Sequence, residues 1–120
     1  MSPELEDVLA RKFPGIFRDI RGDIEKTCMA WGIECGDGWF LILWRLCRDI
    51  EGFGDVVATQ VKEKYGGLRF YTHGGTHVDD RIAQAEAESM QTCENCGRPG
   101  RVLEDRGWLV CACDECVRVK

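Results

Sequence analysis

The chain has 120 residues, 44% of them hydrophobic and 31% charged, and a formal net charge of -5. Such a length suits one domain, with room for a small appendage, and such a balance excludes a disordered polyelectrolyte. The longest apolar run, "WFLILW" at 39–44, is too short to span a bilayer, and the acidic start "MSPELEDVLARK" lacks the basic-then-apolar pattern of a signal peptide. No membrane role is expected, and the expected location is the cytoplasm.

Ser2-Pro3-Glu4 reads as a helix start, with serine capping free amides and proline in the first turn. Leu5, Val8, Leu9 and Phe13 continue as a helical stripe over about 4–13, which Pro14-Gly15 stops. Ile16, Phe17, Ile20, Ile24, Cys28 and Trp31 recur in steps of three and four, which predicts a second amphipathic helix over 16–30. "CGDGW" at 35–39 reads as a turn, with Asp37 capping the next helix. That helix, 39–50, is apolar almost all round and is expected either at the centre of the fold or at a subunit interface, so the sequence also allows a dimer.

Valine, threonine and aromatic residues then predict a β-hairpin near 56–73, with strands at 56–64 and 68–73 divided by Gly66-Gly67. Leu68, Phe70 and Thr72 alternate with Arg69, Tyr71 and His73, giving one buried and one wetter face. A helix follows over 77–91, with Val78, Ile82, Ala85 and Met90 inward and Asp79-Asp80 complementing the dipole at its start. The character changes at Thr92. The fold class expected is therefore α+β: a helical body with a hairpin over 1–91 and a cysteine-rich ribbon over 92–120.

Eight cysteines in a reducing compartment point to metal or redox chemistry rather than disulfides. Cys93 and Cys96 form one CxxC pair, Cys113 and Cys116 another, with sixteen residues between them. One tetrahedral zinc ion takes four such sulfurs at about 2.3 Å. Gly97 suits the position after the second ligand, where positive φ is needed. Arg101–Leu103 and Trp108–Val110 read as the arms of a hairpin turned by "EDRG". The expectation is a zinc ribbon holding one structural zinc on Cys93, Cys96, Cys113 and Cys116. Iron in the same cage is a minor alternative, and Cys111 competes formally with Cys113, although CxxC geometry favours Cys113. Four thiolates close the shell, so no catalytic role is expected of the metal. Some thirty residues bury little surface, so the metal is expected to supply most of this segment's stability.

"VATQVKEKYGGLRFYT", "TCENCGRPG", "GW" and the closing "CDEC" together resemble a family of small phage and prophage proteins, mostly hypothetical, that share a "VKEKFGGLRFY"-like block before such a ribbon. The "CGDGW" turn is similar too, so the resemblance covers roughly 35–116. Two departures are Tyr65, in place of phenylalanine, and the extra Cys111. The resemblance implies a mobile-element origin and a bacterial host cell, without naming an activity.

His73 and His77 read as exposed loop residues rather than ligands, and no nucleophile motif, P-loop or dinucleotide fingerprint is present. No enzyme activity is expected. Cys28, Cys35 and Cys47 read as small core residues, with Cys35 the one expected to be reactive because it lies in a turn.

Two functions remain. The first is docking on a host or viral protein, with inhibition of a bacterial defence system such as CRISPR–Cas as a special case that the resemblance suggests. The alternative is a nucleic-acid-binding regulator, using Lys62, Lys64 and Arg69 beside Tyr65, Phe70 and Tyr71, or a patch of Arg98, Arg101, Arg106, Arg118 and Lys120. Charge weighs against it. Residues 1–90 carry 16 acids and 11 bases, and 91–120 carry five of each, so no basic excess exists to hold a polyanion.

Overall fold

A computed structural model describes residues 1–22 and 27–118. The described residues form a mixed fold, with four α-helices and two small sheets. Helix α1 (Pro3–Lys12) starts as its sequence dictates: the Ser2 hydroxyl accepts from the Leu5 N–H at 3.3 Å, with proline in the first turn. Leu9 and Phe13 enter the core, but Val8 is exposed and Glu6 is buried in its place. The Glu6 carboxylate accepts from the Ile33 N–H at 2.6 Å and from Arg21 at 2.9 Å, so the charge is paired where it is desolvated.

The helix expected over 16–30 does not form in the described residues, and 23–26 lie outside them. Residues 14–21 make successive turns. The Ile16 carbonyl is taken by the Ala58 N–H at 2.8 Å, and Arg21 has a φ of 58°, through which no right-handed helix runs. Ile16 and Phe17 still bury their side chains. Cys28–Trp31 is a single 3-10 turn that buries Met29 and leaves Cys28 and Trp31 in solvent, contrary to the expected stripe. A 3-10 turn has a period near three, so a stripe drawn at 3.6 drifts off the core face.

Helix α2 (Phe40–Ile50) is the centre of the molecule. It follows directly on a 3-10 turn, Asp37–Trp39, so it needs no side-chain cap. The cap expected of Asp37 is absent because its carboxylate accepts from the Ser2 N–H at 2.7 Å and ties down the N-terminus. Trp39, Ile42, Leu43, Leu46, Cys47 and Ile50 are all buried, while Leu41 stays 61% exposed. The chain's own packing thus covers most of the apolar surface of "WFLILW". Phe13 meets Trp44 edge-on, with centroids 5.4 Å apart.

The main sheet has the order β1-β2-β3. Strand β1 (Ile33–Glu34), which the sequence reading missed because it is two residues long, runs parallel to β2 (Val57–Lys64). Strand β3 (Gly67–His73) returns antiparallel. The turn is Tyr65-Gly66 rather than Gly66-Gly67. Lys64 pairs with Gly67, and both central residues have positive φ, as a type I′ hairpin requires.

Helix α3 (Asp79–Ser89) covers the open edge of β3. The Leu68 N–H donates to the Ser89 hydroxyl at 2.9 Å and the Phe70 N–H to the Glu86 carboxylate at 3.0 Å. Ser89 is therefore buried, and Met90, expected inward, is exposed just past the helix end. No helix among the described residues is long and apolar enough to cross a membrane.

Leu43 is completely buried on α2. Leu43→Ala is expected to cost about 2–5 kcal/mol of stability in chemical denaturation. A loss below about 1 kcal/mol would mean that this helix does not carry the core.

Candidate metal centre

Beyond α3 the chain reverses at once. Thr92 bridges Pro99, the Cys93 N–H donates to the Arg98 carbonyl at 2.8 Å, and the Gly97 N–H donates to the Cys93 carbonyl at 2.9 Å. Gly97 has a φ of 82°, the left-handed conformation expected after the second cysteine. The chain then forms a hairpin of β4 (Arg101–Asp105) and β5 (Trp108–Ala112), turned by Arg106-Gly107. Strand β5 delivers Cys113 to the first knuckle. The second knuckle opens a short helix, α4 (Asp114–Arg118), in which the Cys116 N–H donates to the Cys113 sulfur at 3.4 Å.

The sulfurs of Cys93, Cys96, Cys113 and Cys116 all lie within 4.8 Å of one another, and those of Cys96 and Cys113 are 3.6 Å apart. A tetrahedron with 2.3 Å metal–sulfur bonds has edges of about 3.8 Å. A disulfide needs about 2.05 Å, so the four thiols are spaced for a shared ion and not for a bridge. Cys93 and Cys113 are buried, Cys116 is half-buried and Cys96 faces solvent. Burial raises the Cys93 thiol, but the backbone amides of Cys113, Cys96 and Asn95 overcome this and bring it to about 6. Cys116 is pushed up to about 12 by the thiols of Cys113, Cys93 and Cys96. Four sulfurs this close resist joint ionisation unless a cation sits among them, which is what one metal ion supplies.

Cys111 stands apart. Its buried thiol donates to the Ser89 carbonyl at 3.2 Å and the Thr92 carbonyl at 3.1 Å, so it packs into the body and leaves Cys113 as the ligand candidate.

The first knuckle rests on the "CGDGW" segment. The Trp39 indole N–H donates to the Thr92 carbonyl at 2.8 Å, and the Gly38 N–H to the Glu94 carbonyl at 2.7 Å. The Gly36 N–H donates to the Glu94 carboxylate at 2.8 Å. A methyl group at Gly38 would run into the Cys93 carbonyl. The sequence showed a turn here, and the glycines before Trp39 were the available signal that another segment packs closely against it.

The remaining candidates do not join the site. His73 and His77 are exposed, and no cluster of three or more ligating side chains forms around either among the described residues. Asp79 and Asp80 lie in the first turn of α3. Arg98 pairs with Glu115 and Arg101 with Asp114, each at 2.7 Å, so these two arginines brace the acidic start of α4. The side chains of Arg118 and Lys120 lie outside the described residues. Cys35, expected to be reactive, is buried, and burial followed by the charge of Glu94 pushes its thiol up to about 12. Burial also raises Cys47. Cys28 is the exposed thiol outside the cluster. No family model matches the chain, and neither does any curated protein or solved structure.

Cys111→Ser is expected to leave the bound metal per chain unchanged, whereas Cys96→Ser lowers it; elemental analysis of both variants checks this. Equal loss in the two would put Cys111 in the cage. Thiol labelling at pH 8 of metal-loaded protein should modify Cys28 first. A raised pKa leaves Cys35 neutral there, with only about one molecule in ten thousand as thiolate. Mass spectrometry of the labelled peptides reads the order.

Proposed function

We propose that this chain is a small zinc-binding protein of phage or mobile-element origin that works by binding another protein. The observation that carries the reading is a set of large side chains left in solvent at one place. Tyr65 is 68% exposed, Trp108 75% and Leu109 46%, on a turn and a strand that line a common groove. Exposed aromatic anchors are what protein interfaces use, and they are costly to leave without a purpose. The four-thiolate cluster supports a structural metal that stiffens the strand carrying two of these side chains. Four soft donors at tetrahedral spacing favour zinc, and a closed shell leaves no position for a reacting water.

Origin and role rest on the resemblance of "VKEKYGGLRFY" and "TCENCGRPG" to phage and prophage proteins. Docking on a host or viral protein fits that origin. A component of a bacterial defence system such as CRISPR–Cas is one such target, where a net charge of -5 suits a basic nucleic-acid channel. The same charge opposes direct nucleic-acid binding, and so does the pairing of Arg98 and Arg101 with acids.

Protein purified without added metal should carry close to one zinc per chain by elemental analysis; a folded ribbon with none would contradict the zinc assignment. Titration with labelled single-stranded DNA and RNA across several salt concentrations should show no micromolar binding. Micromolar binding that weakens with salt, and weakens further in the Arg98→Ala, Arg101→Ala variant, would establish the regulator instead.

A further inference from the structure

The four sulfurs of the cluster are not equally placed. Cys93 and Cys113 are buried and Cys116 is half-buried, whereas Cys96 lies in solvent. Cys93 accepts from the backbone amides of Cys113, Cys96 and Asn95, and Cys113 accepts from the Cys116 N–H at 3.4 Å. A sulfur whose charge is drawn into hydrogen bonds is a weaker nucleophile, and a buried one is out of a reagent's reach. Cys96 also lines a cleft of about 390 Å³ between the first knuckle and α2, against Phe40, Leu41 and Arg45. A peroxide molecule is far smaller than this cleft. Cys96 is therefore the cluster sulfur most open to a small oxidant.

A partner for the oxidised sulfur is also in place. The sulfurs of Cys96 and Cys113 are 3.6 Å apart, although the residues lie 17 positions apart in the chain. A disulfide holds its sulfurs at about 2.05 Å, so the pair needs to close by only about 1.5 Å. Cys96 stands in a turn and Cys113 in the joint between β5 and α4, so neither is fixed by a helix or a sheet ladder.

We propose that Cys96 and Cys113 make this cluster a reversible, peroxide-sensitive switch: oxidation joins them in a disulfide, the metal is released, and the docking side chains on β5 lose their brace. This rests on the zinc and protein-binding readings above and adds their regulation. The Cys96 thiolate attacks one peroxide oxygen, the O–O bond breaks, and hydroxide leaves, which makes Cys96 a sulfenic acid. The Cys113 thiolate then attacks that sulfur and displaces a second hydroxide. The two sulfurs together lose two electrons, and the peroxide takes up two protons and ends as two waters. Cys93 and Cys116 alone are too few to hold a tetrahedral ion. A dithiol returns the two electrons and gives back both ligands. Trp108 and Leu109 lie on the strand that leads into Cys113, so loss of the metal loosens the surface that carries them.

The test treats the full chain, as purified and carrying Cys28→Ser, with hydrogen peroxide. That substitution removes the exposed thiol outside the cluster, and all four ligands stay native. A chromogenic chelator follows zinc release, and mass spectrometry of the peptides maps the linkages. Zinc is expected to leave with the loss of about two thiols per ion, while the untreated chain keeps its metal over the same time. Cys96–Cys113 should be the main new disulfide, and a phosphine reductant with added zinc should restore the metal content. Zinc retained in excess peroxide would overturn the switch and leave the zinc reading in place. A chain that holds no zinc as purified would overturn the zinc reading and the switch with it. A first disulfide within either CxxC pair would overturn the pairing of Cys96 with Cys113. Oxidation that the phosphine fails to reverse would overturn the switch as a reversible device.

Discussion

The structure depends on where the Thr92 carbonyl sits. It accepts from the Trp39 indole and from the Cys111 thiol, and the next residue along the chain is the first cysteine of the metal cluster. A carbonyl oxygen has two lone pairs, and the Trp39 indole is a buried donor for which a missing partner costs stability, while the Cys111 thiol, a weaker donor, also reaches the Ser89 carbonyl. Trp39 belongs to the core around α2, Cys111 comes from β5, and Thr92 follows α3 and pairs with Pro99. One backbone atom therefore joins the body, the hairpin and the knuckle. The hydrogen bonds of Gly36 and Gly38 to Glu94 extend the same seam.

That seam explains how a ribbon with so little core holds a fixed position. Its own buried cluster comprises Cys93, Ala112 and Cys113, with Cys116 and Val117 packed against it. The rest of its order comes from the body on one side and from the ion expected among the sulfurs on the other. Among the described residues, Val102 and Cys111 are the ribbon side chains that reach the main core. The stiffness matters because β5 presents Trp108 and Leu109 to solvent, and a binding surface on a frayed hairpin would lose affinity to ordering entropy.

Legibility in the sequence followed the strength of the local signal. The cysteine spacing, the Ser2-Pro3 cap and the hairpins at 57–73 and 101–112 are set by neighbours in the chain, and all could be read there. The central helix was readable because its apolar residues exceed any one face. What could not be read was decided by distant partners. The Ile16 carbonyl pairs with Ala58, so a stripe that looked helical becomes a run of turns. Glu6 is buried because Arg21 and the Ile33 amide come to meet it, and Asp37 holds Ser2 instead of capping a helix. Cys35 looked reactive in its turn and is buried because the knuckle closes over "CGDGW".

The central claim is that the metal knuckle and the body share one hydrogen-bonded seam. Hydrogen exchange followed residue by residue, before and after removal of the metal with a thiol-competitive chelator, tests it most directly. The account predicts that the Trp39 indole and the Gly36 and Gly38 amides lose protection together with the ribbon, while the amides inside α2 stay protected. Seam protons that remain protected after the ribbon has opened would contradict it.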